Sequence, residues 1–172
     1  MNPTFFSRLP LFCITALCLI TMISCGFHTS NIGKTARPEQ TISTVDDFDS
    51  KGTWQTNDLE IAYEIIPLDD TFRVSGTLHV LRSITATFSK AKFFQLQINY
   101  LDAERKVISS HEVSPNMGYR VELPRKMPLL NVPNAPRGAV AFTFSYWGEF
   151  ASPGIRDENA GEWEVYFTPF TT

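Results

Sequence analysis

From Asp58 onward the chain alternates apolar and polar residues with a period of two, and this pattern narrows its possible folds more than any other feature. In LEIAYEII, Leu59, Ile61, Tyr63 and Ile65 share one face, while Glu60 and Glu64 point the other way. In TFRVSGTLHVLR, Phe72, Val74, Gly76, Leu78 and Val80 alternate with Arg73, Ser75, Thr77 and His79. FFQLQINYL sets Phe94, Leu96, Ile98 and Tyr100 against Gln95, Gln97 and Asn99. Successive side chains on an extended backbone point to opposite faces, so each run reads as a half-buried strand of an antiparallel sheet. KVISSHEV, YRVELP, AVAFTFSYWGEF and EWEVYFTPF continue the series, with DAER and IRDENAG as turns. In the last strand Trp163, Val165 and Phe167 share the face opposite Glu162, Glu164 and Tyr166. No stretch sustains a helical repeat.

About seven strands at short spacing predict an all-β fold, a single antiparallel β-sandwich of immunoglobulin-like or jelly-roll type. The Pro-rich segment PRKMPLLNVPNAPRG is long enough to cross between sheets. Gly76, inside a strand, marks a bulge or a close backbone contact. The stretch FFQLQINYLDAERKVISSHEV, residues 93–113, resembles the strand–turn–strand of FxLYD-type immunoglobulin-like envelope domains, through Phe94, Tyr100, Leu101 and Asp102. The order of aromatic and Leu differs from that family's motif, and the resemblance implies an architecture without catalytic residues to carry over.

The N-terminal third carries an address. Arg8 precedes an uncharged apolar run, Leu9 to Ile23, of about 15 residues, whereas a spanning helix takes roughly 20. A basic residue, a short apolar stretch and a small-residue exit describe a secretory signal. Met22-Ile23-Ser24-Cys25 resembles the lipobox of bacterial lipoproteins, with Met22 in place of the usual Leu. The resemblance implies that residues 1–24 are removed and that Cys25 is acylated, which anchors the protein to a lipid bilayer. More than one acyl chain is what makes such an anchor stable. Gly26 after the cysteine, where Asp retains lipoproteins at the inner membrane, points to the outer membrane if the organism has one. Residues 25–45, polar and without periodicity, read as a flexible tether with a reach of roughly 25 Å, and residues 46–172 as the β-sandwich domain.

Processing would remove Cys13 and Cys18 with the signal and leave Cys25 as lipid carrier, so the domain has neither a disulfide nor a Cys-based metal site. It would also move the formal charge from -3 to -4. Nucleic-acid binding requires clustered basic residues, and the nearest approach is the scattered Arg120, Arg125 and Lys126. His28, His79 and His111 lack metal-ligand spacing. The acidic loops Asp46–Asp49 and Arg156–Asn159 lack the glycine-punctuated spacing of a calcium loop, and there is no nucleophile elbow or phosphate loop. The sequence therefore implies no cofactor and no enzyme. What remains is aromatic: with Val140, Phe142, Phe144 and Tyr146 inward, Trp147 faces outward, and Tyr166 lies opposite Trp163. Trp147, Tyr166 and Trp54 form a candidate contact surface for an envelope protein or glycan, since such rings supply contact area at low entropic cost. The plainer alternative is that the Trp147 strand is covered on both faces. The expected function is a membrane-anchored envelope lipoprotein acting as a binding or assembly module. The alternative is a small carboxylate- or metal-dependent hydrolase, acting on glycans.

Overall fold

The computed structural model describes residues 30–44, 51–115, 123, 125–152 and 161–171. Among them are nine strands: β1 (Ile42–Ser43), β2 (Lys51–Gln55), β3 (Leu59–Leu68), β4 (Thr71–Val80), β5 (Lys90–Leu101), β6 (Val107–Glu112), β7 (Lys126–Pro128), β8 (Ala141–Ala151) and β9 (Glu162–Phe167). One short helix, α1 (Arg82–Thr85), links β4 to β5. The strands form two antiparallel sheets. One runs β2-β3-β4-β7; the other runs β1-β8-β5-β6, with β9 pairing β8 alongside β1. The all-β sandwich expected from the alternation is thus the observed architecture.

The period of two explains how the layers meet. Leu59, Ile61, Ile65, Phe72, Val74 and Leu78 of the four-stranded sheet are buried with Leu96, Ile98, Tyr100, Phe142, Phe144 and Tyr146 of the other in one apolar core. Edge-on ring contacts join the layers, Tyr63 to Phe142 at 5.4 Å and Phe72 to Tyr100 at 5.8 Å. Such pairs each contribute about 0.5–1.5 kcal/mol beyond burial. Tyr100 donates its hydroxyl to the Pro133 carbonyl at 2.6 Å, and burial holds its pKa well above the ordinary phenol value.

Three local readings are resolved. The β5–β6 hairpin turns at Asp102, whose Oδ1 accepts from the Glu104 and Lys106 amides at 3.1 and 2.8 Å, with Arg105 at φ 62°. Gly76 is no bulge, because it pairs in register with Tyr63. It is a close contact: a Cβ there would lie 2.8 Å from the Ala62 carbonyl oxygen. The Pro-rich segment does cross sheets. β7 pairs with β4, Ala135 donates its amide to the Phe72 carbonyl, and the chain then enters β8. The expected strand at Tyr119–Pro124 falls largely outside the described residues, as does most of the Ile155–Gly161 turn.

The tether assignment needs correction. Residues 25–45 were expected to be flexible, yet the compact unit begins at Asn31, not at residue 46. β1 pairs with β8, Thr35 bridges Lys106, and Ala36 bridges Phe170. Ala36 and Thr44 are buried, and Ala36, Leu101, Val107, Ala141 and Phe170 form a second, smaller core. Burial here is achieved by isolated residues, which leave no periodic signal. Cys25, with the signal segment, lies outside the described residues.

Candidate functional site

The outer face of the five-stranded sheet is divided in two. One half is closed by the N-terminal segment. Asn31 Nδ2 donates to Gln97 Oε1 at 2.8 Å, Asn99 Oδ1 at 3.1 Å and Ser145 Oγ at 3.2 Å. Asn99 Nδ2 also reaches Ser145 Oγ at 3.0 Å, and Ser110 Oγ donates to Asn99 Oδ1 at 2.8 Å. Asn31, Asn99, Thr143 and Ser145 are therefore buried although they point away from the main core.

The other half is open and aromatic. Phe93, Trp147 and Tyr166 are 42 %, 49 % and 73 % exposed. Trp147 stands directly opposite Tyr166 on β9, which puts both rings on one face. Phe93 joins them because it lies two residues before Gln95, which stands opposite Trp147, and so shares its face. Phe93 points out against Trp147, with ring centroids 4.9 Å apart, while Phe94 points in. The register shift before Phe93 re-phases the strand there and turns Ala91 inward opposite Phe150.

Polar groups frame these rings. Trp147 Nε1 donates to Glu164 Oε1 at 2.7 Å, fixing the indole. Lys92 donates to Glu149 Oε1 at 3.0 Å and also to Glu162. The Lys92 ammonium holds the Glu162 carboxyl below its ordinary range, opposite to the shift that a general acid needs. Gln95 Nε2 donates to Glu112 Oε2 at 3.1 Å. The result is a short row of rings in a field of carboxylates with one lysine, suited to stacking a flat apolar surface and to accepting hydrogen bonds at its margin.

Not every residue singled out in the sequence belongs to this surface. Trp54 does not: it is 5 % exposed and packs in the main core, 5.4 Å from Phe144 and 5.3 Å from Phe167. Its place in β2 opposite Ile61 turns it inward. Trp163 shares the inward face of β9 but is 56 % exposed, stacked on Phe88 at 6.5 Å. His79 and His111 are not brought together either. His79 lies on β4 with Nδ1 3.3 Å from Glu60 Oε1, and His111 lies on β6 of the other sheet, 2.6 Å from Ser109 Oγ. The acidic loop 46–49 lies outside the described residues, as does 156–159. Among the described residues no group of three His, Cys, Asp or Glu is placed to hold a metal, and no helix is long and apolar enough to cross a membrane.

Sequence reasoning missed Phe93, Glu164 and Lys92. For Phe93 the available signal was the alternation itself, which puts it in phase with Gln95, Gln97 and Asn99. No family model, curated protein or solved structure matches the chain.

Proposed function

We propose that this chain is a lipid-anchored envelope protein that works by contact rather than by chemistry, through the open half of its five-stranded sheet. Cys25 would carry the acyl chains after removal of residues 1–24, and Gly26 favours the outer membrane in a diderm cell. The observation that carries the reading is Trp147: half-exposed, oriented by Glu164 and flanked by Phe93 and Tyr166. A large ring kept partly in water and locked in place is preorganised to receive a partner, because little side-chain entropy remains to be lost on binding. An envelope glycan or protein would lay an apolar face on the rings and place hydroxyls or amides against Glu149, Glu164 and Gln95.

The hydrolase alternative has no specific observation in its favour. The test is co-sedimentation of the full mature chain, held in non-ionic detergent, with purified cell-wall glycan and with envelope protein extract. W147A combined with Y166A should weaken retention by about tenfold or more while thermal unfolding stays near that of the parent. Retention unchanged in a folded double variant rules this surface out.

A further inference from the structure

The opposite sheet carries a second feature, independent of the aromatic face. Where β4 ends, α1 and β7 enclose a cleft of about 510 Å³ lined by His79, Arg82, Thr85, Arg125 and Lys126 over a floor that includes Val80 and Leu81. Three elements converge to build it. Arg82 opens α1, Lys126 stands in register opposite His79, and Arg125 precedes it. His79 turns its Nδ1 to Glu60, at 3.3 Å, and Glu60 itself does not line the cleft.

The charge here runs against the rest of the molecule. The whole chain has a formal charge of -3, yet three permanent cations meet in one concavity with no carboxylate lining it among the described residues. Among the described residues, Arg82, Arg125 and Lys126 form no ion pair. Like charges gathered without counter-charge repel one another, and a concave wall focuses their field outward. Guanidinium forks match the oxygens of phosphate in pairs, and an ammonium adds a point charge. Thr85 supplies a hydroxyl at the same wall.

We propose that this cleft binds the phosphate group of an anionic ligand, with Arg82 and Arg125 gripping its oxygens and Lys126 neutralising the remaining charge. Such a group can arrive as free phosphate or pyrophosphate, or as the phosphodiester of a lipid headgroup. The full mature chain in non-ionic detergent is titrated calorimetrically with inorganic pyrophosphate and, separately, with glycerophosphoglycerol, the deacylated headgroup. Sub-millimolar binding of the first assigns the soluble source, and preferential binding of the second assigns the headgroup; either supports the site if R82Q/R125Q weakens it about ten- to a hundredfold. Lys90, an exposed cation of β5, serves as control, and K90Q should leave binding unchanged. The Gln pair keeps side-chain length and polarity, so its fold is readily checked by circular dichroism; R82K/R125K covers the case in which it unfolds, and should bind more weakly than the parent through loss of the forks. Binding of neither probe, or binding indifferent to these substitutions, overturns the proposal.

Discussion

Trp54 and Trp147 share a side chain and differ in everything that decides what the side chain does. Trp54 fills the core between Phe144 and Phe167, and its buried Nε1 has no hydrogen-bond partner among the described residues. Its apolar area therefore stabilises the fold, while its N–H subtracts from that gain. Trp147 keeps half its surface in water and satisfies its N–H on Glu164. Trp54→Ala should cost about 3–5 kcal/mol. Trp147→Ala should change stability by no more than about 0.5–1 kcal/mol. Urea unfolding of the two variants checks this, and equal losses would contradict the placement of one ring in each environment. Phe144, fully buried on the inward face of β8, should behave like Trp54. For Trp147 the alternation was enough: odd positions of β8 face out. For Trp54 it was not, because β2 is only five residues long and follows a stretch with no pattern to set its phase.

At the scale of elements, the N-terminal segment acts as a clamp across the five-stranded sheet. It adds β1 beside β8 at Phe142 and Ala141, and its far end drops Asn31 onto Gln97, Asn99 and Ser145. Those three side chains sit on β5 and β8, whose period of two sends them away from the main core, and alternation alone does not say what covers them. Their cover comes from a segment more than sixty positions away along the chain. This is why the long strands were legible and the clamp was not. Alternation is a local signal, whereas one buried Asn, one buried Ala and a two-residue strand are defined only by their partners. The bulge at Lys92 escaped for a related reason: an inserted residue changes the phase without changing the composition. Asn31→Ala removes the shared donor of the network and leaves buried oxygens on Gln97 and Asn99 less well served. It should cost about 1–3 kcal/mol, and hydrogen exchange at the amides of residues 31–36 should quicken before that of β3 or β4. Unchanged exchange in a destabilised variant would show that Asn31 does not hold the clamp.

For the whole molecule, the two outer faces carry different chemistries: rings among carboxylates on the five-stranded sheet, converging cations at one end of the four-stranded sheet. They lie on opposite sides of the core, so one can be engaged while the other stays free. If Cys25 is acylated as proposed, the clamp decides how they relate to the anchor. In a mature chain acylated at Cys25, five residues, Gly26 to Ser30, separate the lipid carrier from Asn31. A fully extended chain spans at most about 3.3–3.6 Å per residue, so the link from Cys25 to Asn31 reaches about 20 Å at its limit. Asn31 is fixed on the outer face of the five-stranded sheet. The four-stranded sheet lies behind it by a packing distance of about 10 Å between layers, so the short link cannot turn that sheet's outer face to the bilayer without running around an edge. The aromatic face should therefore stay near the lipid of the anchor. Acylated protein reconstituted in liposomes with dansylated headgroups should show strong energy transfer from its tryptophans. Insertion of twenty Gly/Ser residues after Ser30, with a random-coil reach of about 25 Å, should lower that transfer. If the insertion leaves transfer unchanged, a direct contact between the aromatic face and the lipid is holding the domain down. W147A should then reduce transfer in the long-linker protein by more than the loss of one donor explains.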